Sequence, residues 1–205
     1  MKKQTNQEKK KLIVLYSGGK DSSLAALMLS KFFKVELVTI TFGLLQNWKN
    51  AEKAAKRIKF PFRLLKLDKK IIETAAKIVV KDGFPNEGIK YIHQRVLEEI
   101  AKEANIVADG VRRNDRVPVM SLSEVMRVED KLKIHYLQPL MGISRKTINL
   151  LVEEYFTIKE YKGASFAGAE YEFELREFVR KKYGLRKLNK IFPQNHTHTI
   201  VLSAR

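Results

Sequence analysis

The chain has 205 residues, 44% of them hydrophobic and none of them cysteine, which suits one packed domain with a small appendage and excludes global disorder. The missing cysteines exclude disulfides, thiolate-bound zinc or iron–sulfur centres, and a cysteine nucleophile or persulfide carrier of the chain's own. Lys and Arg number 40 against 23 Asp and Glu, a formal charge of +17 with a pI near 9.9. Abundant Lys and Glu without cysteine fits a thermophile, but that habit raises both signs together, so the excess points to a polyanionic partner, RNA first.

The start, Lys2–Lys11, is lysine-rich and has no apolar core of the signal-peptide kind. The longest apolar runs are too short to span a bilayer, so no membrane role and a cytoplasmic location are expected. Leu12–Tyr16 is a continuous apolar run of the kind a buried parallel strand needs. Ser17–Ser22 punctuates it, and Ser22–Phe33 reads as a helix packed on the sheet. Val35–Thr41 is a second strand, Asn47–Lys59 a helix, and Phe62–Leu67 a third strand. Lys69–Lys81 is helical and stops near Asp82-Gly83; Tyr91–Ala104 repeats apolar residues at helical spacing. Ile106–Ala108 and Ile134–Leu137 are strands four and five, and Ser144 caps a helix that runs to Phe156.

Strands alternating with helices define the α/β class: a Rossmann-like parallel sheet of about five strands with helices on both faces. The expected division is residues 10–156 for this domain and 157–205 for a small basic C-terminal extension, either a separate unit or packed on the same domain. The extension holds a Gly/Ala/Ser loop at 163–168, a charged helix at Tyr171–Tyr183 and a final stretch ending Val201-Leu202.

In open parallel sheets, ligands bind beyond the carboxyl ends of the strands, often at a helix N-terminus. Ser17-Gly18-Gly19-Lys20-Asp21-Ser22 lies there. Two glycines let backbone N–H groups approach a phosphate, the serines add hydroxyls and Lys20 adds positive charge. Asp21 is out of place beside an anion unless it holds a Mg²⁺ that bridges phosphates. Neither the G-x-x-x-x-G-K-[ST] nor the G-x-G-x-x-G spacing is present.

The motif S-G-G-x-D-S between strand and helix resembles the PP-loop ATP pyrophosphatase superfamily. That resemblance implies an adenine nucleotide α-hydrolase-like fold and cleavage of ATP between its α- and β-phosphates. AMP is transferred to a substrate oxygen, and a nucleophile then displaces it. The superfamily includes GMP, asparagine and NAD synthetases, tRNA lysidine synthetase, tRNA thiolases and diphthine–ammonia ligase. The resemblance gives ATP to Ser17, Gly18, Gly19, Lys20, Asp21 and Ser22, lays Thr41-Phe42-Gly43 against the adenine through backbone groups, and lets Gly110 approach the nucleotide. Asp21 is the expected Mg²⁺ ligand.

A second cluster, Asp109 through Arg116, follows the fourth strand and so reaches the same rim. Arg112, Arg113 and Arg116 suit charge developing on α-phosphate and pyrophosphate, with Asp109 or Asp115 assisting Mg²⁺ or orienting an arginine. Lys20, Asp21, Arg112 and Arg113 are the expected catalytic set, without an identifiable general base. Arg145 and Lys146 sit in the first turn of a helix, where cations oppose the dipole unless an anion is bound. His196-Thr197-His198 offers too few ligands for a metal site; His93 and His135 sit among apolar neighbours and read as structural, and Trp48 stands alone. Tyr155, Tyr161, Tyr171 and Tyr183 interleave with basic residues and suit either RNA bases or core packing.

These features together predict an adenylating enzyme acting on RNA, most plausibly tRNA. Its nitrogen or sulfur donor comes from outside, as free ammonia, an amine, a carrier or a partner subunit, or across a homodimer. A small-carboxylate amide ligase and a non-catalytic ATP- or AMP-binding regulatory module use the same loop. The expected RNA face combines Lys2–Lys11 with Arg180, Lys181, Lys182, Arg186 and Lys187.

Overall fold

A computed structural model describes residues 8–113, 115, 119–162, 168–193 and 197–205. The chain opens with β1 (Lys11–Leu15), α1 (Lys20–Ser30), β2 (Lys34–Thr41), α2 (Trp48–Arg57) and β3 (Phe62–Lys66). It continues with α3 (Lys69–Asp82), α4 (Asn86–Ile100), β4 (Ile106–Ala108), α5 (Leu122–Leu132), β5 (His135–Leu137) and α6 (Arg145–Tyr155). The last part comprises β6 (Phe156–Lys162), α7 (Tyr171–Tyr183), α8 (Leu185–Ile191) and β7 (Thr197–Ala204).

Strands β1 to β5 form one sheet in the order β3-β2-β1-β4-β5, every pair parallel. The period-two alternation of its strands is apolar on both faces, the pattern of a doubly covered parallel sheet. On β1, Leu12 and Val14 join one buried cluster with α1, α2 and α6, while Ile13 joins the other with α3, α4 and α7. Strand β2 divides likewise, Val35 and Leu37 to the first face and Val38 and Ile40 to the second, which Phe42 joins just past the strand's end. This is the Rossmann-like α/β architecture that the sequence predicts.

Helix ends follow local chemistry. Asp68 caps α3 by accepting from the Lys70 N–H at 2.9 Å, and Gly83 ends it with φ of 75°. Helix α4 begins at Asn86, five residues before the predicted start at Tyr91, because Gly88 in its first turn hides an otherwise continuous pattern. Helix α5 was not expected from periodicity; it carries no fully buried residue, yet Ser121 and Glu124 form a complete capping box at its start.

In the C-terminal region the charged helix expected at Tyr171–Tyr183 stands as α7 with those bounds, while the strands beside it were not expected. The helix predicted to reach Phe156 ends at Tyr155, and Phe156 opens β6. β6 and β7 pair antiparallel in a two-stranded ribbon of their own. Ribbon and helix then straddle the main sheet: Ile200 and Val201 pack into the α1/α2/α6 cluster, and Leu175 and Val179 into the α3/α4 cluster. Among the described residues no helix is long and apolar enough to cross a membrane.

Candidate nucleotide site

The sheet order reverses at β1, whose neighbours are β2 on one side and β4 on the other. The carboxyl ends of β1 and β4 therefore flank a crevice, the usual ligand position in such sheets. The turn from β1 into α1 is tight. Gly18 has φ of +82°, and a Cβ on it would lie 2.9 Å from the Ala51 Cα, so a side chain is excluded twice over. Helix α1 starts from Gly19, whose own position supplies no side-chain cap; the first helical N–H, that of Lys20, has only a long bond to Thr199 Oγ1 at 3.3 Å.

The loop's amides are only loosely held. Ser17 N–H reaches Ser22 Oγ and Gly19 N–H reaches Ser17 Oγ, each at 3.4 Å, near the limit for such bonds. Phosphate oxygens at this position would replace long bonds with short ones. Ser22 and Ser23 donate their hydroxyls to the Gly19 carbonyl, at 3.2 and 2.9 Å, and hold the first turn in shape.

Lys20 is buried, and its ammonium donates to Oδ1 of Asn149 on α6. Burial lowers its pKa; Asp21 opposes that shift, and Arg112 and Arg145 add to it. Arg145, although exposed like Lys146, therefore lies within electrostatic reach of the loop. The Asp21 carboxyl is pushed up by burial, with Arg112 and Lys20 pulling it down and Asp115 and Glu170 pushing it further up.

The loop after β4 presses against this turn. A Cβ on Gly110 would sit 2.5 Å from the Ser22 amide nitrogen, so only glycine lets the two loops meet. Arg112 bridges them: its Nε is 2.7 Å from Asp115 Oδ1 and 3.6 Å from Asp21 Oδ2, and its N–H donates to Asp115 Oδ2 at 3.0 Å. Asp21 Oδ1 and Arg112 Nη1 are both buried with no partner among the described residues. An orphaned carboxylate oxygen beside an orphaned guanidinium nitrogen fits a cation and an anion bound together. Asp21, with phosphate oxygens and water, is the ligand set Mg²⁺ prefers, and the ion would neutralise phosphate charge there.

Arg113, predicted alongside Arg112, is exposed; Arg116 lies outside the described residues. Asp109 is buried beneath the loop instead of facing a ligand. It accepts from the Val111 N–H at 3.0 Å and from the Tyr136 hydroxyl, which stands 2.7 Å from His93 Nε2. His93 Nδ1 is 2.6 Å from the Tyr171 hydroxyl of α7. Burial raises Asp109 to about 6 and lowers His93 to about 4. His93 is thus structural but polar in its company, and His135 is exposed where apolar surroundings were expected. Of the tyrosines, Tyr171 serves this network, Tyr155 is exposed and Tyr161 lies under the Lys159 ammonium.

The C-terminal region reaches the site directly. Ala169 N–H donates to Ser17 O and Val201 N–H to Gly18 O, at 2.9 and 3.0 Å, and Lys20 N–H donates to Thr199 Oγ1 at 3.3 Å. His198 Nδ1 is 3.3 Å from Glu170 Oε2; His196 lies outside the described residues. Among the described residues no three His, Asp or Glu side chains are grouped to share a metal. Asn149 could have been found from sequence, one helical turn after Arg145. Thr199, Glu170 and Glu174 carry no local signal.

Fold and site together define a Rossmann-like α/β protein with a glycine turn and a helix amino end at the switch point of its sheet. The family described as "Family of unknown function (DUF7411)" matches residues 10–203, and the chain belongs to it. The chain is 40% identical over 189 residues to uncharacterized protein MJ0690 of Methanocaldococcus jannaschii, covering 92% of this chain and 94% of that one. A crystal structure from the same organism, described as a predicted subunit of tRNA methyltransferase, superposes with a TM-score of 0.87 at 38% identity, over 96% of this chain and 98% of that one. The U34-tRNA thiolase NcsA of Methanococcus maripaludis with its [4Fe-4S] cluster gives 0.49 at 14% identity, over 74% and 59% of the two chains, too slight a likeness to bear on function.

Proposed function

We propose that the protein binds ATP on the Ser17–Ser22 loop and adenylates a substrate, releasing pyrophosphate, in the modification of tRNA. The observation that carries this reading is the pair of orphaned atoms, Asp21 Oδ1 and Arg112 Nη1, at the mouth of a loop whose amides are held only at 3.4 Å. In it, Lys20 and the loop amides bind the pyrophosphate moiety, and Arg112 offsets charge that grows on the α-phosphate. Asp21 would hold Mg²⁺ against the phosphates. Adenylation of an already ionised oxygen needs no base on the protein.

The net charge of +17 supports an RNA substrate, as do the words tRNA and subunit in the description of the M. jannaschii relative. The absence of cysteine means that any sulfur donor comes from elsewhere, through a carrier or a partner subunit; a nitrogen donor would be free ammonia, an amine or a partner subunit. Labelled ATP incubated with Mg²⁺ and tRNA, then separated by chromatography, tests the reaction. AMP and pyrophosphate are the expected products, lost in Asp21→Ala while the fold persists. ADP as product overturns adenylation, and normal turnover by Asp21→Ala overturns the loop assignment.

A further inference from the structure

A nucleotide whose phosphates sit on the β1 turn lays its base toward the carboxyl end of the adjoining strand, β2. The donors there are the N–H groups of Phe42, Gly43 and Leu44, and all three are already taken. Glu174 of α7 accepts from Phe42 N–H at 2.8 Å, from Leu44 N–H at 3.2 Å and from the Thr41 hydroxyl. Thr41 Oγ1 in turn accepts from Gly43 N–H at 3.0 Å. One carboxylate, 2% exposed and 132 residues away from Phe42 in sequence, takes two of the three amides and holds the hydroxyl that takes the third. The Phe42 side chain is fully buried in the core, so the backbone is all this segment can offer a base.

Glu174 sits one turn along α7 from Tyr171, whose hydroxyl meets His93, so the same stretch of helix is fastened at two points. A tether of purely structural use would not need to occupy the amides of the rim that adjoins the phosphate turn. We propose that Glu174 is a latch on the base end of the nucleotide site: base and carboxylate compete for the Phe42 and Leu44 amides, and ATP binds fully only when the first turns of α7 yield. The proposal rests on the nucleotide reading above. It makes the C-terminal region a device that sets ATP affinity, to be released by whatever partner or substrate draws α7 away.

The full chain, Glu174→Ala and Glu174→Gln are titrated by calorimetry with α,β-methylene ATP and Mg²⁺, and amide hydrogen exchange is followed with and without the nucleotide. If the open form is about a tenth of the population, Glu174→Ala binds about tenfold more tightly than the parent chain, and Glu174→Gln by a smaller factor. In the parent chain, nucleotide speeds exchange across Tyr171–Glu177. Equal or weaker binding by the folded variants, or α7 exchange unchanged or slowed by nucleotide, overturns the latch and leaves the nucleotide site standing. Failure of every form to bind overturns both. Should neither variant fold, exchange in the parent chain decides alone.

Discussion

Lys20 is buried beside a neutral partner. Its ammonium is held by the Asn149 amide oxygen, a contact that fixes the direction of the charge without cancelling it. A carboxylate in that place would satisfy the lysine and remove the reason for phosphate to bind. Asn149→Asp is therefore expected to weaken ATP binding by about 2–3 kcal/mol, the scale of a charged hydrogen bond, read by calorimetry. Asn149→Ala keeps the charge, loses its direction, and lowers kcat more than affinity. The same reasoning separates two neighbours that sequence alone could not. Arg112 lies against Asp21 and Asp115, while Arg113 is exposed. Arg112→Ala should cost about 10²–10³ in kcat, as loss of a preorganised donor does; Arg113→Ala should leave pyrophosphate release unchanged.

At the scale of elements, α4, β4, β5 and α7 are tied by the buried run of Tyr171, His93, Tyr136 and Asp109. Two of its members, His93 and Asp109, whose Nε2 and Oδ2 stand 3.5 Å apart, pull stability in opposite directions with pH. His93, lowered from 6.5 to about 4, contributes stability present above its unfolded value and lost as pH falls through 4. Asp109, raised from 3.8 to about 6, contributes stability present below 3.8 and lost as pH rises through 6. Between these limits they offset. Replacing His93 with Gln removes only the acid-labile half, so between pH 7 and pH 4 the stability of His93→Gln should gain on the parent chain, by on the order of 3 kcal/mol at most. Urea unfolding across that range checks it; parallel curves would remove His93 from the account.

What could be read from sequence follows from how far apart the interacting residues are. The β1 turn and α1 declare themselves within a dozen residues, because strand, glycine turn and helix start each have local signals. Helix α5 was missed: the Ser121–Glu124 box could have announced it, but its exposed apolar residues Leu122 and Met126 blur the period. The Glu174 contact has no such signature. It is a single glutamate in a charged helix, and its meaning comes from a loop more than a hundred residues upstream. The same holds for Thr199, which looks like any strand threonine until the fold sets it against Lys20.

For the molecule as a whole, charge and shape must be considered together. Of the cations expected to face RNA, Arg180 and Lys181 are paired with Glu177, Lys182 lies over Phe178 and Tyr183, and Lys11 is paired with Glu36. Lys10 and Arg186 are exposed, and Lys2 to Gln7 lie outside the described residues. RNA contact through this set should follow counterion release, with a log–log salt slope of about −0.7 per phosphate on single strands. Neutralising Arg186 and Lys187 together should flatten that slope by one to two contacts' worth and leave ATP affinity alone. Binding of tRNA no tighter than heparin would remove RNA as the substrate.

The stitching of the phosphate loop to Ala169, Thr199 and Val201 also sets an order of events. Bonds between residues 17–20 and 169–201 close loops of more than a hundred residues, and such contacts form late because their entropy cost precedes their reward. The turn between β1 and α1 is braced only once β7 has packed against it. On the nucleotide reading proposed above, competence to hold ATP should therefore come late in folding. It should also be the first to vanish when its C-terminal strand frays.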